Sequence, residues 1–206
     1  MNNMQFPMQP IFGKVASREF TSRIYRIRFT DVIGHIEDFA EEIAILEEAT
    51  EHDKIFIQIS SPGGSLETTD FLCRRMQECD AHIIAEIGMT CASGATAIAL
   101  EADDWVVAES SVFMVHSCSY SPGWGKESDI RLSAEVTARL NREFVERTYT
   151  GFLTEKEMHE VLEYGQDKYF FAAELRERLE AFALFRDGDD AETAATELGE
   201  EEVDPR

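Results

Sequence analysis

Gly88-Met-Thr-Cys-Ala-Ser-Gly-Ala95 lies where an apolar, strand-like segment, Ile83 to Ile87, gives way to a small-residue, helix-like one, Gly94 to Leu100. A serine at such a junction sits at the end of a strand, close to the unpaired N–H groups of the new helix's first turn. Acyl transfer needs that arrangement, an accessible nucleophile beside backbone donors that stabilise an oxyanion. Ala-Ser-Gly-Ala is also ordinary small-residue packing, so Ser93 gains chemical meaning only from the residues around it.

Upstream, Lys54-Ile-Phe-Ile-Gln-Ile-Ser60 alternates as a strand should, with Ile55, Ile57 and Ile59 on one face. It runs into a turn cluster, Ser60-Ser-Pro-Gly-Gly-Ser65, and then a helix-like segment containing Leu66, Leu72, Cys73 and Met76. Ile24 to Phe29 is rich in strand formers, and Ile36 to Ala49 carries apolar residues at helical spacing. Downstream, Trp105 to Ala108 and Val112 to Val115 read as strands, the second ending at His116, 23 residues after Ser93. Strands alternating with helices predict an α/β fold with a largely parallel sheet, whose active site lies at the carboxyl ends of the strands. Ser61 to Gly64, Ser93 and His116 all fall at such ends.

Beyond a polar, Gly-containing loop, Ser128 is expected to cap a long amphipathic helix ending near Tyr149, with Gly151 as its stop. Thr154-Glu-Lys-Glu157 is a capping box for a short helix ending near Gly165. Asp167, 51 residues after His116, precedes the aromatic run Tyr169-Phe-Phe171. A last helix is expected from Ala172 to about Phe182. Ser93, His116 and Asp167 are compatible with a hydrolase triad, which is defined by geometry and not by chain order. Cys91 is the competing nucleophile, but two residues before the turn it should point elsewhere.

The 206 residues are 44% hydrophobic and 29% charged, enough for one good-sized core. The formal charge of −22 argues against nucleic acid or an anionic membrane as partner. From Asp187 onward there are nine acidic residues and one arginine, a composition that predicts a disordered tail. The sequence thus divides into a flexible N-terminal arm (1–19), a folded domain (20–186) and an acidic tail (187–206). No stretch has the length and apolarity of a membrane span, and Met1 to Pro10 lacks the features of a leader. The four cysteines show no CxxC spacing, which fits reduced thiols in a cytoplasmic protein without a metal.

From about residue 30 to 182 the chain resembles the proteolytic subunit of the ATP-dependent Clp protease, the ClpP family. Ile59-Ser-Ser-Pro-Gly-Gly64 looks like the family's Ile-Asn-Ser-Pro-Gly-Gly turn, and the ungapped spacing from Gly64 places Ser93 on the nucleophile. Phe113-Met-Val-His116 is similar to Met-Ile-His, Ser128-Asp-Ile130 to Thr-Asp-Ile, and Asp167-Lys-Tyr-Phe-Phe-Ala-Ala-Glu174 to Asp-Arg-Phe-Leu-Ser-Ala-x-Glu. Leu140-Asn141 and Thr150-Gly151 match the helix the family uses between its two rings.

The resemblance implies a ClpP/crotonase-like fold of repeated β-β-α units with a long inter-ring helix. It implies a serine endopeptidase with Ser93, His116 and Asp167 as triad, and Gly64 and Gly94 as oxyanion donors. No cofactor is expected. The implied assembly is a homo-oligomer of stacked heptameric rings that cuts unfolded polypeptides, fed by an AAA+ unfoldase.

Three departures bear on this. The family's Gly-x-Ala-Ala-Ser-Met-Gly reads here as Gly88-Met-Thr-Cys-Ala-Ser-Gly94, with one extra residue, so aligning on Gly88 and Gly94 would put Ala92 on the nucleophile. The N-terminal strand lacks Leu-x-Gly, and the last helix is not followed by Gly-Leu-Val-Asp. A catalytically silent subunit of a mixed ring, or an ATPase-independent maturation or signal-peptide-type peptidase, therefore stays open beside the active Clp-type enzyme. A crotonase-type acyl-CoA enzyme shares the fold, but the triad order favours a peptidase.

Overall fold

The isoleucine alternation folds as expected. Lys54–Ser61 is strand β2, with Ile55, Ile57 and Ile59 at most 1% exposed. The structure, a computed structural model, describes residues 21–121 and 123–200. The arm expected over 1–19 and the last residues of the tail, 201–206, lie outside the described residues. Strand β1 (Ile24–Phe29) and strand β3 (His82–Ala92) flank β2, both parallel to it. Ile83, Ala85 and Ile87 continue the apolar face across β3.

Strand β3 is longer than its apolar alternation indicates, running past Ile87 to Ala92. Its first half pairs with β4 (Asp104–Val107) and its second half, Thr90 to Ala92, with β5 (Val112–Val115). Between these halves the register against β2 slips. Ile59 faces Ile87, but Ser61 faces Cys91, so β3 carries two more residues than β2 over the same span. Such a bulge re-aims the end of a strand. The extra residue between Gly88 and the serine falls within this irregular stretch, upstream of Ser93.

The β1–β5 sheet is parallel throughout. Strand β6 (Lys168–Phe171) closes it with an antiparallel pairing to β5, an element that its four residues did not announce. One face of the sheet is covered by helix α1 (Ala40–Glu48, entered through a 3-10 turn at Ile36–Phe39), helix α2 (Leu66–Gln77) and helix α3 (Gly94–Leu100). Every residue of α3 is buried. Its Gly-Ala-Thr-Ala-Ile-Ala-Leu sequence presents small side chains on most sides, which lets a helix run through the core. The carbonyls at its end and just beyond it are held from outside: Trp105 Nε1 donates to Ala99 O (2.7 Å), and Arg186 Nη1 to Leu100 O (3.2 Å) and Ala102 O (2.7 Å). Donors and positive charge at a helix C-terminus are stabilising.

Helix α4 (Glu127–Tyr149) is the long helix. Its N-cap is Lys126, which makes no side-chain cap bond, and Ser128, the expected cap, sits inside the helix. Gly151, in the left-handed region, follows its end. Helix α5 (Glu155–Tyr164) starts with the expected capping box and ends at left-handed Gly165. Helix α6 runs from Ala172 to Glu200, well beyond Phe182. It takes in residues 187–200, which composition assigns to a disordered tail. Ala191, Glu192, Ala194, Ala195, Glu197 and Leu198 are strong helix formers, and that propensity favours the extension.

A partly buried ion pair ties α5, β6 and α6 together. Arg178 donates to both oxygens of Glu157 (3.0 and 2.7 Å) and lies over the Phe170 ring, 4.3 Å from its centroid. Glu157 also accepts from the Thr154 N–H (3.0 Å). Burial works to raise the Glu157 pKa, but Arg178 and Thr154 outweigh it and hold the carboxylate at about 2. A depressed pKa contributes stability above the unfolded-state value and loses it as pH falls through the folded one. Glu157→Gln should therefore lower the thermal midpoint at neutral pH. The gap to wild type should narrow as pH falls from the ordinary value of 4.5 toward about 2. A gap that is the same at every pH in a thermal-unfolding series would contradict this role.

Candidate active site at the turn between β3 and α3

Ser93 is the one residue between the end of β3 and the start of α3, and its backbone is unusual: φ 54°, ψ −131°. Among the described residues it is the only non-glycine with positive φ. This is the conformation of the first central residue of a type II′ turn, a place ordinarily held by glycine. Holding a serine there costs on the order of 1–3 kcal/mol. Ala92, the alternative nucleophile position, is the last residue of β3, buried and paired with Met114. The sharp turn leaves Ser93 partly accessible while Ala92 and Gly94 on either side are buried. A strained strand-to-helix turn of this kind is how a nucleophile elbow exposes its hydroxyl.

The turn is fixed from several sides. The Ser93 N–H donates to Met114 O (2.9 Å), continuing the β3–β5 ladder, and its carbonyl accepts from the Thr96 N–H (2.9 Å). The Ser61-Pro-Gly-Gly64 turn presses against it. A Cβ on Gly63, itself at φ +89°, would lie 2.5 Å from Ala92 O, 2.6 Å from Ser93 Cβ and 2.8 Å from Gly94 N. Ser61 Oγ locks that turn by donating to Asp31 O (2.6 Å) and accepting from the Gly63 N–H (3.1 Å).

Gly64 forms a parallel bridge with Ile33, but the two bonds of the bridge use Gly63 O and the Ser65 N–H. The Gly64 N–H takes no part in it. The Gly94 N–H is the first of α3 and has no partner within the helix. Gly94 also packs on Thr69, whose hydroxyl would collide with a Cβ.

His116 and Asp167 reach the same region through strand pairing. His116 follows Val115 at the end of β5, the strand to which the Ser93 N–H is bonded. In the antiparallel β5–β6 pairing the last pair is Val115 with Lys168, the chain neighbours of His116 and Asp167. His116 is partly buried and Asp167 exposed. Among the described residues no hydrogen bond joins Ser93 Oγ to His116 or His116 to Asp167. Such bonds are often long in unliganded sites and tighten on substrate. The chain beyond His116 is anchored to the long helix: the Cys118 N–H donates to Asn141 Oδ1 (2.7 Å). No group of His, Cys, Asp and Glu among the described residues is arranged to hold a metal ion.

With this geometry in view, the comparisons place the chain. A family model described as Clp protease matches residues 15–177. The chain belongs to the Clp protease family. The match takes in the Gly63–Gly64 turn, the Ser93 elbow, His116 and Asp167, and the fold is the family's α/β fold. Comparison with curated proteins finds no match. No helix among the described residues is long and apolar enough to cross a membrane.

Sequence reasoning gave no individual role to Gly63, Asn141 or the Thr96–Tyr149 hydroxyl pair. Gly63 was legible as part of the turn motif, and Asn141 as part of the Leu-Asn match. Nothing in the sequence connects Thr96 to a tyrosine 53 residues away.

Cys91, the rival nucleophile, is fully buried beside β2 and β5, and burial pushes its thiol far above the ordinary range. The thiolate is the reactive form, so Cys91 should be inert. In the native protein at pH 8, an alkylating reagent should leave Cys91 unmodified while reaching the partly exposed Cys79 and Cys118. Modification of Cys91 without unfolding, read by peptide mass spectrometry, would contradict its placement.

Proposed function

We propose that the chain is a serine endopeptidase of the Clp type, with Ser93 as nucleophile. The observation that carries this reading is the strained positive-φ backbone of Ser93 at the β3–α3 turn, which a merely structural serine has no need of. Ser93 Oγ attacks the peptide carbonyl. His116 takes its proton as general base and returns it to the leaving amine as general acid, while Asp167 orients His116 and stabilises its charged form. The Gly64 and Gly94 N–H groups stabilise the oxyanion, and losing one such donor typically costs about 3 kcal/mol of barrier. No cofactor takes part in this scheme.

The substrates are unfolded polypeptides, cut inside a chamber of stacked heptameric rings of this chain, in the cytoplasm, with an AAA+ unfoldase as feeder. A stripe along α4 supports the assembly. Leu132, Val136 and Leu140, spaced by four residues on one helix face, are 62%, 50% and 54% exposed. Exposed apolar stripes of this kind usually meet a partner. Four free cysteines fit a reducing compartment.

A second reading, a catalytically silent subunit of a mixed ring, is favoured by the missing hydrogen bonds between Ser93, His116 and Asp167. Fluorophosphonate labelling of the purified chain separates the two. The active reading predicts labelling that is abolished by Ser93→Ala and lost in His116→Ala. An unlabelled wild type supports the silent subunit, and labelling that survives Ser93→Ala defeats the assignment of Ser93. Stimulation by a co-purifying AAA+ ATPase would further separate the Clp-type reading from an ATPase-independent peptidase.

A further inference from the structure

Behind Ser93 lies a hydroxyl pair that the proposed chemistry does not use. Thr96 and Tyr149 are buried, with Thr96 Oγ1 2.6 Å from Ser93 O and 2.7 Å from Tyr149 Oη. The proton positions follow from donor inventory. A threonine hydroxyl has one proton, and the Ser93 carbonyl can only accept. Thr96 therefore donates to Ser93 O, and Tyr149 donates to Thr96 Oγ1. The chain of bonds runs one way, from the end of α4 through α3 to the elbow.

Hydrogen bonds in series polarise one another in a low-dielectric interior. The Ser93 carbonyl accepts twice, from the Thr96 hydroxyl and from the Thr96 N–H (2.9 Å). Burial raises the Tyr149 phenol well above its ordinary range, so it stays a donor at any working pH.

We propose that Thr96 and Tyr149 are positioning residues for the nucleophile, a buried relay that pins the Ser93 carbonyl and so keeps the strained elbow in its reactive backbone conformation. Thr96 and Tyr149 do not touch substrate. They act on the torsions of Ser93, whose ψ of −131° is set by where its carbonyl points. The proposal rests on Ser93 being the nucleophile, and its test keeps the two claims apart.

The test compares Thr96→Val, Tyr149→Phe, the double variant and Thr96→Ser. Thr96→Val leaves the buried Tyr149 hydroxyl without its acceptor, and Tyr149→Phe leaves the Thr96 hydroxyl bonded to Ser93 O alone, whereas the double variant replaces both by apolar isosteres and should fold with a near-wild-type thermal midpoint. The fluorophosphonate labelling rate at Ser93 should fall about tenfold in Thr96→Val and in the double variant, the rate equivalent of one net hydrogen bond. The double variant should be no slower than Thr96→Val, because the relay is already broken. Thr96→Ser, which keeps the hydroxyl, should restore the wild-type rate. Amide hydrogen exchange at Gly94 to Thr96 should quicken in Thr96→Val whether or not the protein is active.

A double variant that folds and labels at the wild-type rate overturns the relay, as does unchanged exchange in Thr96→Val. A wild type without label at Ser93 overturns the nucleophile reading and, with it, the catalytic purpose of the relay. Faster exchange in Thr96→Val would in that case still support the pinning itself.

Discussion

A serine held at φ 54° is the constraint around which this molecule is built. An L-residue does not stay in that conformation unaided, so the surroundings must over-determine it. The ladder bond from the Ser93 N–H to Met114 fixes one side and the two bonds from Thr96 fix the other. Gly63 approaches so closely that no side chain would fit at its position. Behind these lie the fully buried α3 and the parallel sheet. Strain at one residue is thereby carried by the packing of a whole domain.

The same framework gathers the other functional candidates. Strand β5 serves both ends of the constellation, accepting the Ser93 N–H on one edge and pairing with β6 on the other. His116 and Asp167 adjoin the last pair of the β5–β6 register, Val115 with Lys168. The Glu157–Arg178 pair holds β6 against α5 and α6, and the Cys118–Asn141 bond ties the segment after His116 to the long helix.

Much of this was legible in the sequence where a local signal existed. The Ile55-Ile57-Ile59 alternation gave β2, the Thr154–Glu157 box gave α5, and Gly151 and Gly165 marked helix ends. Sequence pattern failed where the determinant is remote. The Gly88-to-Ala92 half of β3 has no alternation and is a strand because β5 lies beside it. Strand β6 is four residues of edge strand held by pairing and by Arg178. Helix α4 is capped at Lys126, two residues ahead of Ser128, and α6 continues past Phe182, where Arg186 still bonds Leu100 O and Ala102 O. Spacing from Gly64 favoured Ser93 over Ala92 while spacing from Gly88 favoured Ala92, and the β2–β3 register slips between those two reference points. The positive φ of Ser93 has no sequence signature either, since serine is not a residue type that prefers it.

The central claim is that the β3–α3 elbow exists to present the Ser93 hydroxyl beside two backbone donors. A crystal structure of the assembled protein with a peptide boronic acid bound tests it most directly. The account predicts a tetrahedral boron bonded to Ser93 Oγ, with one boronate oxygen accepting from the Gly64 and Gly94 N–H groups and His116 within hydrogen-bond reach. Boron bonded to another residue, or its oxygen turned away from both glycines, would contradict it.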